Sequence, residues 1–273
     1  MNGRKALFII IIAICVFSLA YGIYMIIDSS NNVKNKTKIE DDSDIQNYDF
    51  DALFDNSIHY QNYTFGSEYK TDTSKELVYT VYKLNETKEG KYNINVELPF
   101  INLNNSKIND INTEMIITFG QKVQSIMANS NKEDSKNSIY TVEYTAYLNE
   151  NILSLVIKST LKEGNNAQRL IIQAYTYNLS SNELIPLKTM LEIKELDSQI
   201  VRNEITNVIQ ESVVKNANLV ALGYNVYERD INSDIYKIEN SNNYFLGPNG
   251  TIYIIYAYGK YFQIVSIGYL YQL

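Results

Sequence analysis

A single histidine limits the acid–base and metal chemistry open to this chain. His59 is the only imidazole among 273 residues, whereas zinc hydrolases and carbohydrate deacetylases assemble two or more histidines at metal-ligating spacing. The one cysteine, Cys15, lies in an apolar run near the N-terminus. No thiol is left in the rest of the chain to act as ligand, nucleophile or disulfide partner. A Ser-His-Asp triad would have to be built on His59, which lies in a polar stretch. Carboxylates remain, since glycoside hydrolysis needs only two acids flanking one bond. Glu143, Glu163 and Asp230 are examples of acids in or near strands and loops, but nothing selects a pair. The expectation is a protein that binds and does not catalyse, with no metal and no cofactor.

Binding chemistry is better supplied. The chain holds 24 tyrosines and no tryptophan. A tyrosine ring covers apolar surface while its hydroxyl stays wet, which suits half-buried strands and binding surfaces alike. Tyr244, Tyr256, Tyr258 and Tyr261 are the candidate ligand contacts, and packing within the sheet is the alternative role for each. The net charge of −7 argues against nucleic acid. It fits plain solubility or a basic protein partner.

The elements that would position these residues begin with an anchor. Ala6 to Ile27 is uncharged and almost wholly apolar, preceded by Arg4 and Lys5 and followed by Asp28. At about 1.5 Å per residue, such a run crosses a hydrocarbon core of about 30 Å. Positive charge on the N-terminal side places residues 1–5 in the cytoplasm and everything after Ile27 outside, as a single-pass membrane protein. Cleavage after Ser18-Leu19-Ala20 is the alternative, although the apolar run continues beyond it. Residues 28–56 are rich in Asn and Lys and then in acids, with little apolar material between, and read as a flexible acidic tether.

From residue 57 to 273 the pattern is α+β: antiparallel sheets with two packed amphipathic helices. Strands are expected at 76–83 and 92–98. A helix over 109–128 is predicted by Ile108, Ile111, Met115, Phe119, Val123 and Ile126 recurring every three or four residues. A meander follows at 139–148, 152–161 and 169–179, with Asn149-Glu150-Asn151 as its first turn. A second helix takes its apolar side from Ile193, Leu196, Ile200, Ile205, Val208, Ile209 and Val213. A hairpin around Gly247-Pro248-Asn249-Gly250 and a strand within 264–270 close the chain.

Four segments in order carry a resemblance. They are Glu97-Leu98-Pro99-Phe100-Ile101 with Ile108-Asn109-Asp110-Ile111-Asn112, then Tyr147 to Leu155, then Tyr175 to Leu187, then Phe245 to Tyr256. Together they resemble the extracytoplasmic domain pair of RsiV-type anti-sigma factors, which bind lysozyme, and of the non-catalytic part of some peptidoglycan deacetylases. The resemblance implies a cell-envelope protein of a Gram-positive bacterium. A cytoplasmic sigma-binding segment and a catalytic domain would both be missing. The implied ligand is lysozyme or another basic protein. Peptidoglycan or another wall glycan, and a further envelope protein, are the alternatives.

Overall fold

Runs of β-branched and aromatic residues form long strands where the sequence places them. The computed structural model describes residues 50–63, 66, 69–132, 135–166, 168–223, 230, 232–256 and 269–272. The expected span Ala6–Ile27 and the tether up to residue 49 lie outside them. Among the described residues no helix is long and apolar enough to cross a membrane.

The main sheet has seven strands. They are β1 (Ile58–Gln61), β2 (Val78–Lys88), β3 (Tyr92–Ile101), β4 (Ser138–Asn149), β5 (Ile152–Glu163), β6 (Arg169–Asn178) and β7 (Glu183–Leu184). Strands β2 to β7 lie side by side in chain order, and β1 adds to β4. Tight turns make the antiparallel pairs: Gly90 at φ 68° joins β2 to β3, and Glu150 at φ 53° joins β4 to β5. The expectation of purely antiparallel sheets is corrected, because β4 runs parallel to both β3 and β1. The physical reason is the helical crossover between β3 and β4, which returns the chain to the end from which β3 started. The first half of β4 pairs with Tyr92–Val96 of β3 and its last four residues with β1. Between them the sheet forks. There Asn56, itself at φ 57°, takes the Tyr144 N–H on its side-chain oxygen at 2.9 Å and gives its own N–H to the Tyr144 carbonyl at 2.8 Å.

The crossover is one helical run in three pieces: α1 (Ser106–Met115), a π turn over Ile116–Gly120, and α2 (Gln121–Asn129). Asn105 caps the start by accepting the Lys107 N–H. The whole predicted apolar stripe from Ile108 to Ile126 is buried against Ile94, Val96, Tyr140, Val142, Leu155 and Ile157. At the π turn, the Phe119 carbonyl accepts the Tyr140 hydroxyl at 3.0 Å. Asn112, on α1 and buried, serves β3 beyond the point where that strand has left β4. Its oxygen accepts the Ile101 N–H at 2.9 Å and its amide donates to the Ile101 carbonyl at 3.0 Å.

Strand alternation exposes a second face, and a second core covers it. It contains α3 (Leu187–Ile193), α4 (Ser198–Ala221) and a small antiparallel sheet of β8 (Tyr244–Leu246), β9 (Ile252–Tyr256) and β10 (Tyr269–Gln272). Val201, Ile205 and Ile209 of α4 pack with Leu187, Met190, Leu246 and Ile254. Ile193, Leu196 and Ile200, expected on the apolar side, are exposed. The break at residues 194–197 separates two helices and resets the helical phase. Polar pegs hold β8 to the main sheet: Ser154 Oγ accepts the Leu246 N–H, and Thr176 donates to the Tyr244 carbonyl, both at 2.9 Å.

The segment Phe50–Asn56, counted with the tether from sequence, belongs to the domain. Phe50–Leu53 forms a 3-10 turn, and Leu53 and Phe54 are buried. Buried Lys158 meets Asp51 at 2.8 Å and Glu143 at 3.1 Å while lying over the Phe54 ring.

A row of four stacked rings ties these layers together. His59 stacks on Tyr147 at 4.9 Å, Tyr147 faces Phe245 at 6.2 Å, and Phe245 faces Tyr253 at 4.9 Å. Gly247 lies against the end of the row. A Cβ there would sit 2.5 Å from the Tyr253 ring and 3.2 Å from the Phe245 ring. Both rings are fully buried and cannot yield. Gly247→Ala is therefore expected to cost about 2 kcal/mol through overpacking. Chemical denaturation should show a lower midpoint with an unchanged slope. An unchanged midpoint would mean that the rings shift freely.

Candidate functional site

The structure separates the tyrosines chosen from sequence. Tyr244 is in the core, and its hydroxyl donates to the Ile185 carbonyl at 2.6 Å. It presents no surface to a ligand, because β8 is enclosed between the main sheet and the second core. Tyr256 ends β9, in register with Tyr269 of β10. Tyr258 and Tyr261 lie outside the described residues.

A different set of tyrosines faces solvent. Tyr60, Tyr63, Tyr69 and Tyr82 are exposed, and Tyr79 is half-buried. All come from one stretch, β1 through β2. Tyr60 lies 4.9 Å from Tyr63 and bonds Glu76, while Tyr79 lies under Lys75 and packs on Phe100 at 5.6 Å. Burial, then the Glu76 carboxylate, push the Tyr60 hydroxyl up to about 12, so it stays a neutral donor at ordinary pH. The five tyrosines between residues 60 and 82 are the signal for this surface in the sequence, a local density away from the last hairpin.

Tyr60 also edges a cleft of about 500 Å³. The end of β1 contributes Tyr60, Gln61 and then Asn62. The β4–β5 turn contributes Asn149, Glu150 and Ile152, and the Pro248–Gly250 turn adds Asn249. Lys194, which follows α3, completes it. Gln61 and Asn149 are register partners on β1 and β4. Among the described residues, Gln61 Oε1 and Asn149 Nδ2 have no hydrogen-bond partner. Asn62, Glu150 and Asn249 all adopt positive φ, at 47°, 53° and 57°, a conformation that costs energy outside glycine.

Several polar residues of a larger cleft, about 610 Å³ beside β6 and β9, are already engaged. Asn243 bonds the Ala174 N–H and the Ile172 carbonyl, and Asn240 and Ser241 bond backbone carbonyls of their own turn.

The residues considered for catalysis are also placed. His59 meets Asp55 at 3.1 Å and Ser57 at 3.3 Å, but both contacts converge on Nε2. A triad uses opposite ring nitrogens, one toward the nucleophile and one toward the acid, so these three residues do not form one. Glu143 pairs with Lys158, Glu163 with Lys122 and Arg169, and Asp230 accepts the Asn232 N–H in a turn. Among the described residues no group of three His, Cys, Asp or Glu could hold a metal ion.

No family model matches the chain, and no curated protein matches it. Solved structures do. One is a DUF3298 family protein of Pseudomonas aeruginosa PAO1, at 10% identity over 67% of this chain and 82% of that one, with a TM-score of 0.34. Another is a DUF3298 family member of Bacteroides fragilis, at 14% identity over 66% of this chain and 83% of that one, with a TM-score of 0.33.

Proposed function

We propose that this chain is a binding module of a bacterial cell envelope, held at the membrane by Ala6–Ile27 with its folded domain outside. It works by capture and not by turnover. The observation that carries the reading is the exposed tyrosine surface of β1 to β2, which offers rigid rings and wet hydroxyls at low entropic cost, as protein-binding surfaces do. Lysozyme is the first ligand to test, on the resemblance to RsiV-type proteins, and the net charge of −7 would speed encounter with so basic a protein.

The test is calorimetric titration of the full chain in detergent against hen lysozyme at low and physiological salt. Saturable binding that weakens with salt is expected. Tyr63→Ala is expected to reduce affinity about tenfold, the effect of losing one anchoring side chain. No binding at low ionic strength would remove lysozyme as the ligand. The polar cleft favours a second reading, wall-glycan binding, for which retention on purified sacculi without affinity for lysozyme is the signature.

A further inference from the structure

We propose that the domain docks on the membrane that anchors it, through a basic end of the main sheet that takes anionic phospholipid headgroups. This rests on the reading of Ala6–Ile27 as a membrane anchor.

The inference starts from where the lysines lie. The chain is acidic, but one end of the sheet is not. There β2 ends, β3 and β4 begin and β5 ends, with Lys88, Tyr92, Ser138 and Glu163 side by side in register. Lys88 and Lys91 flank the Gly90 turn. Their ammonium groups reach Asn131 at 3.1 Å and Ser135 at 2.7 Å in the loop before β4. That loop adds Lys132 and Lys136, both exposed. Lys122 comes from α2, and Lys162 and Arg169 bracket the β5–β6 turn. Five acids of the same stretches oppose these seven cations: Glu86, Glu89, Glu133, Asp134 and Glu163. This end thus holds an excess of two positive charges within a chain of net charge −7.

The cations best placed for a ligand are the unpaired ones. Glu163 is shared by Lys122, at 3.1 Å, and Arg169. Among the described residues, Lys132 and Lys136 have no ion-pair partner. Both line a recess of about 350 Å³ together with Ser125 and Ser135. Ser135 Oγ accepts from Lys91, which leaves its own proton to donate. Two ammonium groups and a hydroxyl donor suit a headgroup phosphate. The α2 carbonyls that end at this recess are answered within the chain. Those of Ile126, Met127 and Asn129 accept from Ser130 and Lys132.

The path of the chain points the same way. Asp51 lies against Lys158, the register partner of Glu143 on β4. Asn56 bonds Tyr144, and Ile58 pairs with Ala146. From residue 51 to 58 the chain moves along β4 away from Ser138, so it enters the domain from the basic side. Residues 28–49 link that entry to the apolar span, 22 residues in all, which reach at most about 75 Å when fully extended. At such a distance the membrane is a tethered partner, and a weak attraction is enough. Lysines near an anionic surface supply it, within about a Debye length. Docked this way, the 12 residues of β4, about 40 Å long, carry Tyr60 and the polar cleft away from the lipid.

The full chain is reconstituted in nanodiscs of phosphatidylcholine alone and in nanodiscs containing phosphatidylglycerol. Exposed amines are labelled briefly with an acetylating reagent and read by mass spectrometry. Labelling of Lys132 and Lys136 is expected to fall at least about threefold in the phosphatidylglycerol discs and to recover at high salt. Lys107, which pairs with Glu183 of β7, should label equally in both. Lys132→Glu combined with Lys136→Glu is expected to remove the lipid dependence at Lys88 while the thermal melt stays close to the parent. Equal labelling of Lys132 and Lys136 in the two discs would overturn docking and leave the anchor standing. A chain that does not float with phosphatidylcholine vesicles at high salt would overturn the anchor, and docking with it. Shielding by soluble poly(glycerol phosphate) in detergent, with none in phosphatidylglycerol discs, would overturn the lipid and assign the site to a soluble polyanion.

Discussion

Asn112→Leu should lower the stability of the domain by about 3 kcal/mol, from loss of one hydrogen bond and stranding of a buried N–H. The effect follows from the edge of β3 that faces away from β2, which beyond Val96 has no strand beside it among the described residues. Beyond Val96 the strand has no pairing with β4, so the Ile101 N–H depends on the Asn112 side chain. Leucine has the same branched outline, though it is bulkier, and offers no oxygen. The Ile101 carbonyl is less affected, because the Leu103 N–H also reaches it at 3.0 Å. For a domain of this size, each kcal/mol moves the melting temperature by about 2–4 °C, so a fall near 10 °C is expected by circular dichroism. Asn109→Ala, exposed on the same helix, is the control and should stay within about 0.5 kcal/mol of the parent. A melt of Asn112→Leu within about 2 °C of the parent would show that the side chain is not what holds β3.

Alkaline pH should unfold the domain. Burial raises the hydroxyls of Tyr140, Tyr175 and Tyr244 above their ordinary value of 10.0, with the Glu114 carboxylate adding to the rise at Tyr175. Below pH 10 the three are protonated in both folded and unfolded chains, and their contribution to stability is intact. Above it the unfolded chain loses protons that the folded chain retains, so stability falls as pH rises. The slope is roughly 1.4 kcal/mol per pH unit for each group, and roughly 4 for the three together. A marginally stable domain then gives way between pH 10 and 12. Tyrosinate absorbance should rise steeply as the circular dichroism signal is lost. Tyr244→Phe should shift that rise upward in pH. A single smooth titration with the dichroism unchanged would contradict the expectation.

Features written in short stretches of sequence were legible in advance. The β4–β6 meander shows its alternation and its turn residues directly, and the α1–α2 stripe from Ile108 to Ile126 is buried as its spacing requires. Features that depend on distant partners were not. The parallel β3–β4 pairing is set by the return path of the crossover, and β1 is only four residues with no clear alternation. Tyr244 looks like Tyr60 in sequence. Tyr244 is buried and Tyr60 exposed because β8 is enclosed between the main sheet and the second core. The cleft is assembled from residues 60–62, 149–152, 194 and 249–250, and no single stretch carries its signature.

The parallel pairing of β1 has a kinetic consequence. The meander needs only short closures, whereas Asn56 and Tyr144 meet across 88 residues. Closing so long a loop costs entropy before the contacts reward it. With four paired residues behind so long a closure, β1 is expected to open locally below the global unfolding energy. Tyr60 and Gln61 leave with it. For a ligand held there as proposed, apparent affinity would scale with the docked fraction of this one short strand. Ligand bound at this end would slow amide exchange in β1 first.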